Sequence, residues 1–189
     1  RISLTTGELT RIAEGHDFYS NPQLGPKGNQ LLFLTWDHPN MPWDATQLWQ
    51  ATIANGELTK KTPVAGADNK CAIFQPHWSP DNTLYYVSDK SNWWNIYRLA
   101  NGTATPVLEM EAEFATPLWQ LGMTTFDFLD ANTIACVWTD SGLWRSGFIN
   151  ITTGTLTIAD HQYSSLQAVA CHQGSVYMVA GAAAVANQI

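Results

Sequence analysis

Apolar residues along this chain come in short runs, and none sustains the i, i+3, i+4, i+7 stripe of a helix. Leu31-Leu32-Phe33-Leu34-Thr35-Trp36, Leu84-Tyr85-Tyr86-Val87-Ser88 and Thr133-Ile134-Ala135-Cys136-Val137-Trp138 are β-branched or aromatic stretches bounded by Gly, Pro, Asn and Asp. That pattern predicts β-strands. The turns before them carry their own chemistry. Pro26-Lys27-Gly28-Asn29 and Pro80-Asp81-Asn82 set Pro where φ near −65° is wanted and Gly or Asn where φ turns positive. Asn55-Gly56 and Asn101-Gly102 are short hairpin signals between further strands. One unit therefore reads as four antiparallel strands.

The unit repeats. Gly7-Glu8-Leu9-Thr10 returns as Gly56-Glu57-Leu58-Thr59, as Gly102-Thr103-Ala104-Thr105 and as Gly154-Thr155-Leu156-Thr157, a period of about 50 residues. Pro22 to Gly28 matches Pro76 to Asn82 in the same phase, and Leu48-Trp49, Ile96-Tyr97 and Leu143-Trp144 form a third landmark. Tandem four-stranded units of this size are the blades of β-propellers, because a lone blade has two apolar faces that only neighbouring blades can cover. Residues 17–64, 70–110 and 122–161 are expected to be whole blades. Residues 1–15 are expected to be the last strand of a preceding blade, and 165–181 the first two strands of a further one. A ring typically needs about four to eight blades, so an all-β propeller fragment that does not close within this chain is expected.

Composition fits a chain of turns and aromatic strands: 13 Gly, 9 Pro and nine Trp among 189 residues. Charged residues make up 13%, about half the usual share, while hydrophobic residues at 45% are ordinary, which argues against disorder. With 9 Lys and Arg against 16 Asp and Glu, a net charge of −7 and no basic run beyond Lys60-Lys61, the footprint that phosphate backbones require is missing, so no nucleic-acid partner is expected. No window approaches the 18 uninterrupted apolar residues of a span, so no membrane partner is expected either. Cys71, Cys136 and Cys171 are odd in number, far apart and without a C-x-x-C. They read as buried thiols in a reducing, cytoplasmic setting. No cofactor or metal is called for.

The landmarks carry a family resemblance. Pro76-x-Trp78-Ser79-Pro80-Asp81-Asn82, then Ser88-Asp89 and Asn95-Ile96-Tyr97-Arg98, resembles a blade of the prolyl oligopeptidase family propellers. Leu34 to Asp44 with Gln47-Leu48-Trp49, and Glu113 to Trp119 with Gly122-Met123, are similar to the dipeptidyl-aminopeptidase/acylaminoacyl-peptidase branch. Asn82 stands where Gly is usual, Lys27-Gly28 replaces Asp-Gly, and the 122–161 unit lacks the Ser-Pro-Asp element. The resemblance implies a parent serine peptidase in which the propeller caps a C-terminal α/β-hydrolase domain and limits which peptides enter. This chain has no G-x-S-x-G, and Trp144-Arg145-Ser146-Gly147-Phe148 lacks the upstream glycine, so no catalytic residue is assigned. The expected partners are that hydrolase domain and a peptide substrate. Unpaired blade edges also predict self-association.

Asp37, His38, Asn40, Trp43 and Asp44 form the densest polar-aromatic spot, on a connection longer than a tight hairpin. They are candidates for contact with substrate or with the domain interface. Alternatively, Pro39 and Pro42 stiffen this loop, and Asp37 and Asp44 accept its backbone N–H groups. Two adjacent ligands, Asp37 and His38, make no metal site. Among Glu109, Glu111 and Glu113, the resemblance makes Glu111 and Glu113 candidates for binding a substrate amine, against a solvated linker. His16, His77, His161 and His172 read as isolated strand or turn histidines. Trp78, Trp93, Trp94, Trp138 and Trp144 read as packing between blades rather than as sugar-stacking platforms. Two rival functions stay open: a stand-alone propeller serving as a protein-interaction module, and a propeller-channel enzyme such as a lactonase or glycan hydrolase.

Overall fold

A computed structural model describes residues 1–189. It has fifteen strands in four antiparallel sheets and no helix, so no helix is long and apolar enough to cross a membrane. The first sheet runs β1 (Phe18–Leu24), β2 (Gln30–Trp36), β3 (Gln47–Ala54), β4 (Glu57–Ala65). The second runs β5 (Ile73–Trp78), β6 (Leu84–Ser88), β7 (Asn95–Ala100), β8 (Thr103–Pro106). The third runs β9 (Phe126–Asp130), β10 (Thr133–Asp140), β11 (Leu143–Asn150), β12 (Leu156–Ala159). The fourth has three strands, β13 (Ser165–His172), β14 (Ser175–Ala182) and β15 (Val185–Gln188). Each sheet is a meander in sequence order, and no sheet closes on itself. This is an all-β, open propeller.

Turn residues set the hairpins. Asn55-Gly56 and Asn101-Gly102 hold positive φ at both positions, as a two-residue turn between twisted strands requires. Ser141-Gly142 and Gln173-Gly174 do the same with a less telling first residue. In the Ser-Pro-Asp turn, the Ser79 hydroxyl donates to Asp81 and accepts the Thr83 N–H at 3.0 Å. That first hydrogen bond holds the Asp81 carboxyl below its ordinary range.

Alternation along the strands then builds three seams. In β6, Tyr85 and Val87 face the third sheet while Leu84 and Tyr86 face the first. Leu32, Leu34 and Leu48 meet Ile73, Leu84, Tyr86 and Tyr97 at the first seam. Phe74, Tyr85, Val87 and Ile96 meet Phe126, Phe128, Ile134 and Trp138 at the second. Ala135 and Val137 meet Leu166, Val169 and Ala180 at the third. Of the tryptophans expected between blades, Trp138 is 2% exposed and stacks on Phe114, and Trp78, Trp94 and Trp144 pack against the seams. Trp93 departs from that expectation and stays 37% exposed.

Both chain ends differ from the strand pattern read in the sequence. Residues 1–15 hold no extended strand; one bridge pairs Ile2 with Leu9, and the Arg1 guanidinium donates to the Gly56 carbonyl at 2.8 Å. A segment with no sheet neighbour has no ladder to join, and Leu4 and Leu9 remain exposed. The fourth sheet gains β15, whose Val-Ala-Asn-Gln sequence carries almost no strand signal of its own.

Candidate functional site

Two places gather chemistry: one end of the first sheet, and the axial channel bordered by the innermost strands. At the first, the β1–β2 register pairs Phe18 with Trp36, their rings stacked at 5.2 Å. Carried one residue further, that register opposes Asp17 to Asp37, and directly opposed like charges destabilise a strand pair. Two histidines resolve the conflict. His16 Nδ1 lies 2.8 Å from Asp37, while His38 Nδ1 lies 3.0 Å from Asp17. Each carboxylate also accepts a backbone N–H from the opposite strand, Asp37 from Asp17 at 2.7 Å and Asp17 from His38 at 2.9 Å. The His16 hydrogen bond, then the Asp17 N–H, hold the Asp37 carboxyl below the usual range. For Asp17 the His38 N–H leads, followed by the His38 ring.

This clasp anchors the β2–β3 connection. The His38–Pro39 peptide is cis, Pro42 is buried, and Asp44 accepts the Met41 N–H at 2.8 Å. Asn40 is half-buried on the same loop. Trp43 reaches across to Trp119, ring centroids 4.3 Å apart, so the loop touches the connection between β8 and β9. Trp119 is 73% exposed. Glu113 on that connection pairs its backbone with Thr139, and its carboxylate accepts the Trp94 N–H at 3.1 Å. Glu111 is exposed and does not share a partner with Glu113.

The channel is bordered by β1, β5, β9 and β13, which with Gly122 to Thr124 line an open cavity of about 350 Å³. A second cavity of about 340 Å³ adjoins it, sharing Gly122, Met123, Thr124 and Ala168. Polar side chains tie the inner strands together here. The Gln75 carboxamide accepts the Thr125 N–H at 2.7 Å and donates to the Phe126 carbonyl at 2.6 Å, and the Thr124 hydroxyl donates to the Val169 carbonyl at 2.9 Å. His77 Nε2 lies 2.9 Å from Asp127, whose other oxygen accepts the Cys171 N–H at 2.6 Å. Burial pushes the Asp127 carboxyl up, but hydrogen bonds from His77, Cys171 and Phe128 outweigh it and leave it below its ordinary range.

His16 and His77 are therefore not isolated, contrary to the sequence reading. Their partners stand 21 and 50 residues away, beyond the reach of any local motif. Trp119 holds no position in the repeat, so nothing in the sequence marks it as the partner of Trp43. None of the three His–Asp pairs is hydrogen-bonded to a serine hydroxyl or a cysteine thiol. Burial raises all three thiols, Cys171 to about 11, so none is poised as a nucleophile. No three His, Cys, Asp or Glu side chains are arranged to hold a metal ion.

Fold and site together define a β-propeller segment with a polar channel and an aromatic-acidic loop at one end. Among solved structures, the chain is similar to a puromycin hydrolase, with 34% identity and a TM-score of 0.81 over 88% of this chain. It is also similar to a puromycin-hydrolyzing peptidase of Mycobacterium tuberculosis, with 29% identity and a TM-score of 0.87 over 96%. It spans 26% and 28% of those two proteins, about a quarter of their length. TolB from Acinetobacter baumannii shares the fold at 17% identity and a TM-score of 0.57, over 96% of this chain and 45% of that one. No family model and no curated protein matches the sequence.

Proposed function

We propose that this chain is the non-catalytic propeller segment of a serine peptidase of the prolyl oligopeptidase family, in its dipeptidyl-aminopeptidase/acylaminoacyl-peptidase branch. In this reading it caps the active site of a hydrolase domain and limits which peptides enter. The observation that carries the reading is the 34% identity to a puromycin hydrolase across 88% of the chain. The motifs around Trp78-Ser79-Pro80-Asp81 and Leu34 to Asp44 add to it. Asp37, His38, Asn40, Trp43 and Asp44 then meet the hydrolase domain or the entering peptide, with Glu111 and Glu113 on a second connection as sites for a substrate amine.

The test is the full-length enzyme. Its reading frame is expected to contain a G-x-S-x-G serine that a fluorophosphonate labels. Asn40→Ala and Trp43→Ala are expected to change kcat/KM for peptides of several residues more than for single-residue arylamides. A reading frame without such a serine, or equal effects on long and short substrates, would overturn the reading.

A further inference from the structure

The seam between the third and fourth sheets holds a hydroxyl that the protein itself leaves unused. Ser146 stands in β11 between Trp144 and Phe148, and by strand alternation it shares their face, which is turned to the fourth sheet. Its neighbours in the ladder are Val137 and Ala159. Of the deeply buried polar residues, Ser20 and Ser146 alone make no side-chain hydrogen bond. The Ser20 hydroxyl is sealed from solvent, whereas Ser146, 5% exposed, borders an open cleft of about 290 Å³ between the two sheets. Buried hydroxyls are ordinarily satisfied, so this one points to something that enters the cleft and completes it. Across from it the cleft is walled chiefly by Leu166, Val176, Met178 and Ala180. An ordered water needs roughly two to four polar partners, and those side chains offer it none beyond Ser146.

The lining selects among ligands. No Lys, Arg, Asp or Glu side chain borders the cleft, so a charged molecule would lose hydration there without gaining a counter-charge. At the rim, on the connection between β12 and β13, the half-buried rings of His161 and Tyr163 stack with centroids 6.2 Å apart. His161 Nδ1 accepts the Tyr163 N–H at 3.2 Å, and the Tyr163 hydroxyl accepts from the Gln188 carboxamide at 2.9 Å. Water reaches these rim groups, so what they add is flat aromatic surface rather than an unmet hydrogen bond. Aromatic rims and the polarisable Met178 thioether favour a ring over an alkyl chain. A dry cavity of about 150 Å³ takes benzene, so about 290 Å³ has room for one substituted ring. The Ser146 hydroxyl both donates and accepts, which matches a hydroxyl on that ring.

We infer that this cleft is a binding site for a small neutral phenol, its ring against Met178 and Tyr163 and its hydroxyl paired with Ser146. The cleft shares no residue with either channel cavity. It does not rest on the peptidase reading and stands or falls separately from it.

The experiment uses the whole 189-residue chain, isotopically labelled at the methyl groups of its four methionines. p-Cresol is titrated while those methyls are followed by NMR, and Met178→Leu identifies the Met178 resonance by its loss. A saturable shift at Met178 is expected, with none at Met41, Met110 or Met123, and 4-methylbenzoate should produce no such shift. Ser146→Ala should weaken p-cresol binding roughly three- to tenfold, the scale of one net hydrogen bond, while leaving the affinity for toluene as in the parent chain. Ser146 makes no side-chain hydrogen bond in the fold, so this variant should fold as the parent does. No saturable Met178 shift at millimolar p-cresol, unchanged p-cresol affinity in Ser146→Ala, an equal loss for toluene, or equal binding of 4-methylbenzoate would each overturn the inference.

Discussion

Asp127 is the single side chain whose loss reaches three sheets at once, and Asp127→Ala tests whether the channel network holds the blades in register. The carboxylate accepts from His77 of the second sheet at 2.9 Å, from Phe128 N–H of its own at 2.7 Å, and from Cys171 N–H of the fourth at 2.6 Å. Truncation leaves two backbone N–H groups without acceptors, at about 1–3 kcal/mol each where water does not reach them. The Asp127 side chain is 23% exposed, so water compensates in part, and a loss of about 2–4 kcal/mol is expected. Asp127→Asn keeps one acceptor oxygen and should lose about half as much. The folded-state pKa lies below the ordinary value, so the unfolded chain binds more protons in acid. The contribution is therefore fully present above about pH 4 and fades as pH falls through the lowered folded-state value. Urea unfolding followed by tryptophan fluorescence, at neutral pH and in acid, reads both effects. A stability for Asp127→Ala within about 0.5 kcal/mol of the parent at neutral pH, the scatter of ordinary surface changes, would refute the reasoning.

Other consequences are as direct. A Cβ added at Gly147 would stand 2.5 Å from the Thr157 carbonyl and 3.2 Å from Trp138 Cη2, so Gly147→Ala should destabilise by about 1–3 kcal/mol in the same urea assay; unchanged stability would show that β12 yields freely. The Asp37 carboxyl should titrate below the ordinary aspartate value by carbon-detected NMR, and His16→Ala should raise it. An ordinary midpoint in the parent chain would mean that the His–Asp clasp does not form. The first and last sheets each have a neighbouring sheet on one face alone, so the chain should self-associate in light scattering, and a monomer across a wide concentration range would contradict that.

Much of this architecture was written locally. The run Leu84 to Ser88 is β6 residue for residue, and Asn55-Gly56 and Asn101-Gly102 are the turns their sequence demands. Ser141-Gly142 and Gln173-Gly174 make equivalent turns, yet Ser and Gln lack the tolerance of left-handed φ that makes Asn informative. The channel's side-chain contacts, by contrast, were not legible. Its His77–Asp127 pair and its Gln75 bonds join residues about 50 apart, and only the stacking of blades brings them together. The Asp37–Asp44 loop was legible as a cluster, but its anchor was not, because half of the clasp comes from His16 and Asp17 just before β1.

One local device connects the repeat to the channel. Three of the four innermost strands break register at the same place, with a non-glycine residue at positive φ in the gap: Asn21 in β1, Gln75 in β5 and Ala168 in β13. A bulge leaves its extra residue out of the ladder, so the next N–H needs another partner. In the first two strands that next residue is proline, Pro22 and Pro76, which has no N–H to lose. In β13 it is Val169, and its N–H reaches the Thr124 carbonyl of the neighbouring connection at 3.4 Å. The same bulges set Asn21 and Gln23, Gln75 and His77, and Ala168 and Ala170 on the cavity wall. The Asn-Pro-Gln and Gln-Pro-His triplets are thus both strand irregularities and one source of the channel's polarity, beside Asp127 of β9. A third copy reduced to Ala-Val-Ala leaves one side of the channel apolar, so the polar side chains on its wall come from β1, β5 and β9 and the connection before β9.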